Sequence, residues 1–170
     1  MVNSSLAKTV VFLYIKPPFF PEPKNSIYYC IDVDKQSVMT AVKTKTYNVI
    51  VIDDSEIDLE LLALIISELP QVNVLKFRSS SEALKLLSKK NPITIDLVLC
   101  DYEMPKFNGL DLLIKFRNNS FTPFIFISAY ISTKLVNLCK SEGATGFIVK
   151  PFVTRDLLAK IKKAMNYIEQ

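Results

Sequence analysis

The sequence contains no histidine, and this absence removes several kinds of chemistry from consideration. Without an imidazole the chain has no Ser–His or Cys–His nucleophile pair and none of the zinc sites that combine Cys with His. Cysteine is scarce as well, because only the widely spaced Cys30, Cys100 and Cys139 occur. An odd and scattered set of this kind is typical of reduced cytoplasmic thiols rather than of a disulfide framework.

Long apolar runs and clustered charge are also missing. The apolar run from Val10 to Ile15 is too short to span a bilayer, and no small-residue cleavage site follows it. The net charge is only +4, and residues 1–46, with six Lys against three acids, hold most of the excess. No basic stripe typical of a DNA reader is present. We therefore expect a soluble cytoplasmic protein that binds neither nucleic acid directly nor a membrane.

A chain of 170 residues can form one domain with a full core and still carry an appendage. Residues 1–46 are interpreted as that appendage, an N-terminal β-like arm. Two β-like runs, 9–15 and 26–33, flank a connector at 16–24 that holds four of the nine prolines. The aromatic residues of the arm favour a docked hairpin, an added edge strand or a grip on a partner over a disordered tail.

From Tyr47 onward, apolar strand-like runs alternate with helical patterns. The expected strands are 49–52, 72–77, 95–100, 124–127 and 146–149. Runs of this kind are typical of strands buried on both faces of a parallel sheet. Five strands alternating with five helices predict a doubly wound parallel α/β domain over residues 47–170, with right-handed crossovers.

The boundaries of two helices carry specific expectations. Ser55 is predicted to cap the first helix, with Asp58 as the acid of a capping box, and Thr154 is predicted to cap the last helix. Apolar spacing also predicts which residues of the first helix face the core: Ile57, Leu61, Leu64, Ile65 and Leu69.

Polar side chains that can do chemistry follow four of these strands: Asp53 and Asp54, Asp101, Ser128 and Lys150. In a parallel sheet these strand ends lie on one edge, where open α/β sheets bind ligands. Three carboxylates brought together repel one another, so a cation is expected among them, and oxygen donors suit Mg²⁺ with retained waters. The Lys150 ammonium and the Ser128 hydroxyl would then serve an anion at Asp101, and a phosphoryl group fits this arrangement.

The order and spacing of these motifs resemble those of a response-regulator receiver domain. The matching features are the Asp-Asp pair after the first strand, Asp-x-x-Met-Pro-x-x-x-Gly after the third, Ser-Ala after the fourth and Lys-Pro-Phe after the fifth. The resemblance covers residues 47–170 and implies a flavodoxin-like (βα)5 fold with strand order 2-1-3-4-5.

The resemblance also implies roles for individual residues. Asp101 would accept the phosphoryl group as an aspartyl phosphate, and Lys150 would contact the phosphoryl oxygens. Asp54, Asp101 and the backbone carbonyl of Glu103 would ligate Mg²⁺, with Asp53 acting mainly through bound water.

Two further positions are implied to act as the switch. Ser128 would move toward the new phosphoryl group, and Phe147 would pack inward behind it, although a fixed core role for Phe147 is an equal alternative. The family often has Thr and Tyr at these positions, so the hydroxyl and the ring are retained here. The bond from Lys150 to Pro151 is expected to be cis.

The implied function is that of a phosphorylation-operated switch rather than an enzyme. A histidine kinase or phosphotransfer protein would donate the phosphoryl group to Asp101. The response would appear on the face formed by the fourth helix, the fifth strand and the fifth helix of the domain. That face would dock an unknown effector or form a homodimer, for which the N-terminal arm is the other candidate.

Two alternatives remain open. The unusual arm favours a phosphorylation-independent interaction scaffold if it covers the phosphorylation edge or the docking face. A hydrolase with an Asp nucleophile is disfavoured, because Glu103 stands where haloacid-dehalogenase-like phosphatases have their second Asp. No DNA-binding helix pair follows the last predicted helix, so we expect either a lone receiver or a piece of a longer protein.

Overall fold

The computed structural model describes the side chains of residues 45–87, 93–105, 107–118 and 120–167, and the backbone alone at 11–13, 27–32 and 37–43. The chain separates into two compact units, Met1–Thr46 and Tyr47–Gln170. Across the ranges with described side chains and backbone, no helix has both the length and the apolar character needed to cross a membrane.

The first unit contains a three-stranded antiparallel sheet. Its strands are β1 (Val11–Leu13), β2 (Ile27–Asp32) and β3 (Ser37–Lys43), paired in the order β1-β2-β3. The first two strands fall within the predicted β-like runs. The sequence did not predict β3, because its apolar residues do not alternate cleanly with polar ones. The proline-rich connector at 16–24 and the aromatic side chains of the arm lie outside the described residues.

The second unit is a five-stranded parallel sheet with five helices. The strands are β4 (Tyr47–Ile52), β5 (Val72–Phe77), β6 (Leu97–Asp101), β7 (Phe124–Ser128) and β8 (Gly146–Val149). The helices are α1 (Glu56–Ser67), α2 (Ser80–Leu87), α3 (Gly109–Arg117), α4 (Thr133–Ser141) and α5 (Thr154–Met165). The strand order β5-β4-β6-β7-β8 is 2-1-3-4-5 when the strands of this unit are counted alone, which confirms the predicted flavodoxin-like fold.

Alternate residues of each central strand enter two separate cores. On one face Val49 and Val51 of β4 pack with apolar side chains of α1 and α5. On the other face Ile50 and Ile52 pack with side chains of α2, α3 and α4. Because successive strand residues point to opposite faces, both sets must be apolar, and this explains why the central strands β6 and β7 are buried apolar runs.

The predicted core face of α1 was wrong in three of its five residues. Ile57, Leu61 and Leu64 are 81%, 44% and 67% exposed. The apolar residues of α1 and the turn after it that are buried are Leu59, Leu62, Ile65, Ile66 and Leu69. Both sets satisfy helical spacing, so periodicity could not choose between them, and packing against β4 and α5 decided.

The predicted cap of the last helix was displaced by one residue. Val153 occupies the N-cap position of α5 without a side-chain hydrogen bond, and Thr154 is the first helical residue. The backbone carbonyl of Val153 accepts hydrogen bonds from the backbone N–H groups of Asp156 and Leu157. The first turn is therefore closed by the main chain alone.

Candidate functional site

The carboxyl edge of the parallel sheet gathers the polar residues that follow its strands. Asp53 comes immediately after β4, Asp101 is the last residue of β6, and Ser128 is the last residue of β7. Lys150 follows β8, and its backbone N–H donates to the Ser128 carbonyl at 2.9 Å. The peptide bond from Lys150 to Pro151 is cis, as expected.

The Lys150 ammonium is the centre of this edge. Its Nζ lies 2.8 Å from Asp53 Oδ2 and 2.9 Å from Asp101 Oδ1, and both carboxylates are almost fully buried. A third hydrogen bond, also of 2.8 Å, reaches Asp58 Oδ2. Three carboxylates around one ammonium leave an excess of negative charge, which favours a further cation at this edge.

Asp58 also belongs to this site, although the sequence predicted it only as the acid of a capping box. The backbone N–H of Asp58 donates to Ser55 Oγ at 3.3 Å, which confirms Ser55 as the N-cap of α1. The reciprocal half of the predicted capping box is absent, because the Ser55 backbone N–H donates to Asp53 Oδ1 instead, at 2.9 Å. The Asp58 carboxylate therefore points to Lys150, and local sequence spacing contains no signal for that contact.

Burial and charge act in opposite directions on the pKa values of the central pair. Burial raises the pKa of Asp101 above its usual range, although the hydrogen bond and the charge of Lys150 pull it down. Burial alone would lower the pKa of Lys150, but hydrogen bonds to Asp53, Asp58 and Asp101 prevail and raise it. The ammonium therefore stays charged throughout the physiological range and is a permanent positive partner for anions.

The remaining predicted ligands lie at the rim of the site. Asp54 is exposed, and its backbone carbonyl accepts a hydrogen bond of 3.4 Å from Arg78. Glu103 is exposed too, and its backbone hydrogen bonds to the Asp101 carboxylate. Neither side chain contacts Lys150. The structure therefore brings Asp53, Asp101 and Lys150 together and leaves Asp54 and Glu103 at the rim.

The two predicted switch residues have other partners. The Ser128 hydroxyl is buried, donates to the Tyr130 carbonyl at 2.6 Å and accepts from the Tyr130 backbone N–H at 3.1 Å. The Phe147 ring is half-buried and stacks on Phe126, with 5.7 Å between ring centroids. Ser128 is therefore at the correct strand end, with its hydroxyl engaged locally, and Phe147 packs on the core that contains α3 and α4.

The loop after Asp101 is held by contacts that the sequence did not reveal. The Ser80 hydroxyl of α2 donates to the Phe107 carbonyl at 2.8 Å, and Met104 is buried in the same core as Ala83. The backbone N–H of Gly109 donates to the Tyr102 carbonyl at 3.2 Å. These contacts set the path of the chain that follows Asp101.

The donor chemistry of this edge fits a hard cation such as Mg²⁺. The buried carboxylates of Asp53 and Asp101, the exposed carboxylate of Asp54 and the Glu103 carbonyl are all oxygen donors. Within the described part of the chain, no three acidic or Cys side chains stand close enough to hold a metal by themselves. Water and the backbone would have to complete the coordination, which is the usual manner for Mg²⁺.

Comparison with known sequences places this arrangement in a family. Residues 49–162 match the response regulator receiver domain. The transcriptional regulatory protein CpxR of Escherichia coli K12 is 35% identical over 120 residues, which are 69% of this chain and 49% of CpxR. The response regulator ArlR of Staphylococcus saprophyticus is 41% identical over 82 residues, or 47% of this chain and 36% of ArlR. The chain thus spans about half the length of CpxR and less of ArlR.

Solved structures agree with this match. The response regulator domain of Thermotoga maritima CheB is 29% identical with a TM-score of 0.63, over 74% of this chain and 100% of that domain. A CheY-like receiver domain protein of Methanospirillum hungatei, 24% identical with a TM-score of 0.65 over 72% of this chain and 95% of the other, shares the fold. The chain therefore belongs to the response regulator receiver domains of two-component systems, which generally accept a phosphoryl group and bind Mg²⁺ at the phosphorylation site.

Proposed function

We propose that Asp101 is the phosphoryl acceptor of this chain and that a histidine kinase or phosphotransfer protein is the donor. The observation that carries the proposal is the Lys150 ammonium, 2.9 Å from Asp101 Oδ1 at the carboxyl edge of the sheet. The oxygens of a phosphoryl group on Asp101 would lie beside this fixed positive charge. Charge aimed at the oxygens of a transferring phosphoryl group is the main means of catalysis in such reactions.

The transfer itself needs one bond to form and one to break. A carboxylate oxygen of Asp101 bonds to phosphorus, while the bond from phosphorus to the donor's imidazole nitrogen breaks and leaves its electron pair on that nitrogen. Lys150 keeps its charge during this exchange, because its raised pKa prevents it from losing a proton at neutral pH. The Asp101 side chain is only 8% exposed, so few waters hydrogen bond to the carboxylate that acts as the nucleophile.

Mg²⁺ belongs to the same proposal. Asp53, Asp54, Asp101 and the Glu103 carbonyl are the groups that would hold it, with Asp53 acting mainly through water. When bound, the ion would supply further positive charge to the phosphoryl oxygens. The negative excess of the carboxylates around Lys150 supports this assignment.

The output of the switch is proposed for the face formed by α4, β8 and α5. To reach a phosphoryl group on Asp101, the Ser128 hydroxyl must leave its two hydrogen bonds with Tyr130. This movement would be transmitted through Phe147 in β8. Exposed apolar side chains in α4 and β8, Leu138 at 45% and Val149 at 50%, support this face as the surface for an effector or a homodimer.

In this proposal the domain is a phosphorylated switch and not an enzyme with a substrate to turn over. A cytoplasmic place of action is part of it. The cysteines with described side chains, Cys100 and Cys139, are free and buried, and this supports a reducing compartment.

The test is phosphorylation of the whole chain by acetyl phosphate with Mg²⁺, followed by intact-mass spectrometry. One phosphoryl mass should be gained, and Asp101→Asn should abolish the gain. Asp156→Asn is the matched control, because Asp156 is an exposed carboxylate of α5 that pairs with Arg155. Absence of an adduct on the parent protein would refute the proposal and favour the scaffold alternative.

A further inference from the structure

Asp58 accepts the third hydrogen bond that the Lys150 ammonium can donate. An ammonium has three hydrogens to donate. In this structure they are directed to Asp53 Oδ2, Asp58 Oδ2 and Asp101 Oδ1, at 2.8, 2.8 and 2.9 Å. A phosphoryl oxygen on Asp101 can therefore form a direct hydrogen bond with Lys150 only if one of these carboxylates releases it.

Local backbone chemistry places the Asp58 carboxylate in this position. Asp58 stands three residues after Ser55, where the side chain of a capping box turns back to the N-cap backbone N–H. That N–H already donates to Asp53 Oδ1. The Asp58 carboxylate is therefore left without its usual partner at the start of α1, and the positive charge within its reach is Lys150.

The three carboxylates differ in what their release would cost. The side chain of Asp53 is 1% exposed, so little water can take the place of the ammonium there. Asp101 carries the phosphoryl group itself, so it is no longer a carboxylate that competes with that group for Lys150. The side chain of Asp58 is 37% exposed and can exchange Lys150 for water. Of the two carboxylates that remain ionised, Asp58 is therefore the one that leaves Lys150 with the smaller penalty.

We infer that Asp58 is a positioning residue that holds the Lys150 ammonium beside Asp101 and yields it to the incoming phosphoryl group. This inference rests on the proposed function of Asp101. The Asp58 carboxylate and the phosphoryl oxygen compete for the same hydrogen of Lys150. Asp58 thereby weakens the hold of the site on a phosphoryl group, and its removal should strengthen that hold.

The experiment measures the binding of beryllofluoride, a mimic of the phosphoryl group, to the whole chain at saturating Mg²⁺. Asp58→Asn should tighten the dissociation constant about two- to five-fold, the factor that corresponds to losing one partly exposed ion pair. Asp58→Ser repeats the test with a shorter neutral side chain. Asp58→Glu retains a carboxylate and should restore the parent's affinity. Tighter binding distinguishes competition from a structural role, because a merely structural loss would weaken binding.

Glu56→Gln is the matched control for charge alone. Glu56 lies in the same turn of α1, is exposed, and pairs with Arg78 rather than with Lys150. Glu56→Gln should leave the affinity unchanged, and equal tightening in this variant would overturn the inference. A parent protein that binds no beryllofluoride would overturn the proposed function together with the inference. A parent that binds, with neutral Asp58 variants that bind no more tightly, would overturn the inference alone.

Discussion

Gly109 stands directly behind Asp101. A Cβ added to Gly109 would lie 2.5 Å from the Asp101 carbonyl oxygen and 2.9 Å from the Phe126 ring. The first of these atoms belongs to the backbone of Asp101 and cannot rotate away as a side chain could. The glycine of the Asp-x-x-Met-Pro-x-x-x-Gly motif is therefore required by its close approach to the end of β6, where the proposed acceptor Asp101 lies.

We expect Gly109→Ala to destabilise the protein by about 1–3 kcal/mol, since the extra methyl group must displace backbone in a packed region. Urea unfolding followed by circular dichroism measures this loss. Gly146→Ala is the control, because the nearest atom to an added Cβ there is Ile125 Cγ1 at 3.7 Å, an ordinary contact. Equal stabilities for the two variants would show that the close approach at Gly109 is relieved at no cost.

We expect Asp101→Asn to be more stable than the parent at pH 7. Burial raises the pKa of Asp101 in the folded state, so the ionised carboxylate opposes folding once the pH exceeds its folded pKa. The variant has no such penalty. Its advantage should shrink as the pH falls from the raised folded pKa of Asp101 toward about 3.9, the ordinary value for Asp, and should be absent below that, where the parent is protonated in both states.

Urea unfolding midpoints at pH 7 and at progressively lower pH measure this dependence. The control is Asp156→Asn, whose side chain is 63% exposed and should show little change. An Asp101→Asn variant that is less stable than the parent at pH 7 would mean that the ion pair with Lys150 outweighs burial.

Two adjacent leucines of α1 separate the predicted core face from the observed one. Leu62 is 0% exposed and Leu61 is 44% exposed. Leu62→Ala should cost about 2–5 kcal/mol, because it removes buried methyl groups and leaves a cavity. Leu61→Ala should cost less than about 1 kcal/mol. Chemical denaturation of the two variants measures these losses. A larger loss for Leu61→Ala than for Leu62→Ala would mean that the face predicted from spacing alone is the buried one.

Arg117 joins the end of α3 to two loops. Its guanidinium donates to the Gly143 carbonyl at 2.8 and 3.1 Å, to Ser120 at 3.1 Å and to Thr122 at 2.8 Å. Arg117→Lys should destabilise the protein by about 1–3 kcal/mol, because a single ammonium cannot span these carbonyls.

Hydrogen exchange should show faster opening of the backbone around Gly143 in Arg117→Lys, since the loop loses the group that ties it to α3. Arg155→Lys is the control, because Arg155 is 88% exposed and pairs with its neighbour Asp156. Unchanged exchange near Gly143 would show that the guanidinium contributes little to the order of this loop.

The sequence contained enough information to place the strands of the second unit and the residues at their ends. The central strands β6 and β7 are continuous apolar runs up to their last residue. Parallel strands with right-handed crossovers bring their carboxyl ends to one edge whatever the details of packing. The sequence alone therefore predicted that Asp53, Asp101 and Lys150 meet at one edge of the sheet. In the first unit β3 escaped prediction, because its pattern matches neither a buried run nor a clean alternation.

Only the tertiary structure decided between alternatives that local sequence spacing allows equally. Helix α1 has two apolar faces, and only the sheet beneath it selected Leu62 over Leu61. Asp58 fits a capping box by its position, yet Lys150, 92 residues away in sequence, takes its carboxylate. Periodicity describes the relation of a residue to its own helix or strand, whereas these contacts depend on which distant group reaches the same point in space.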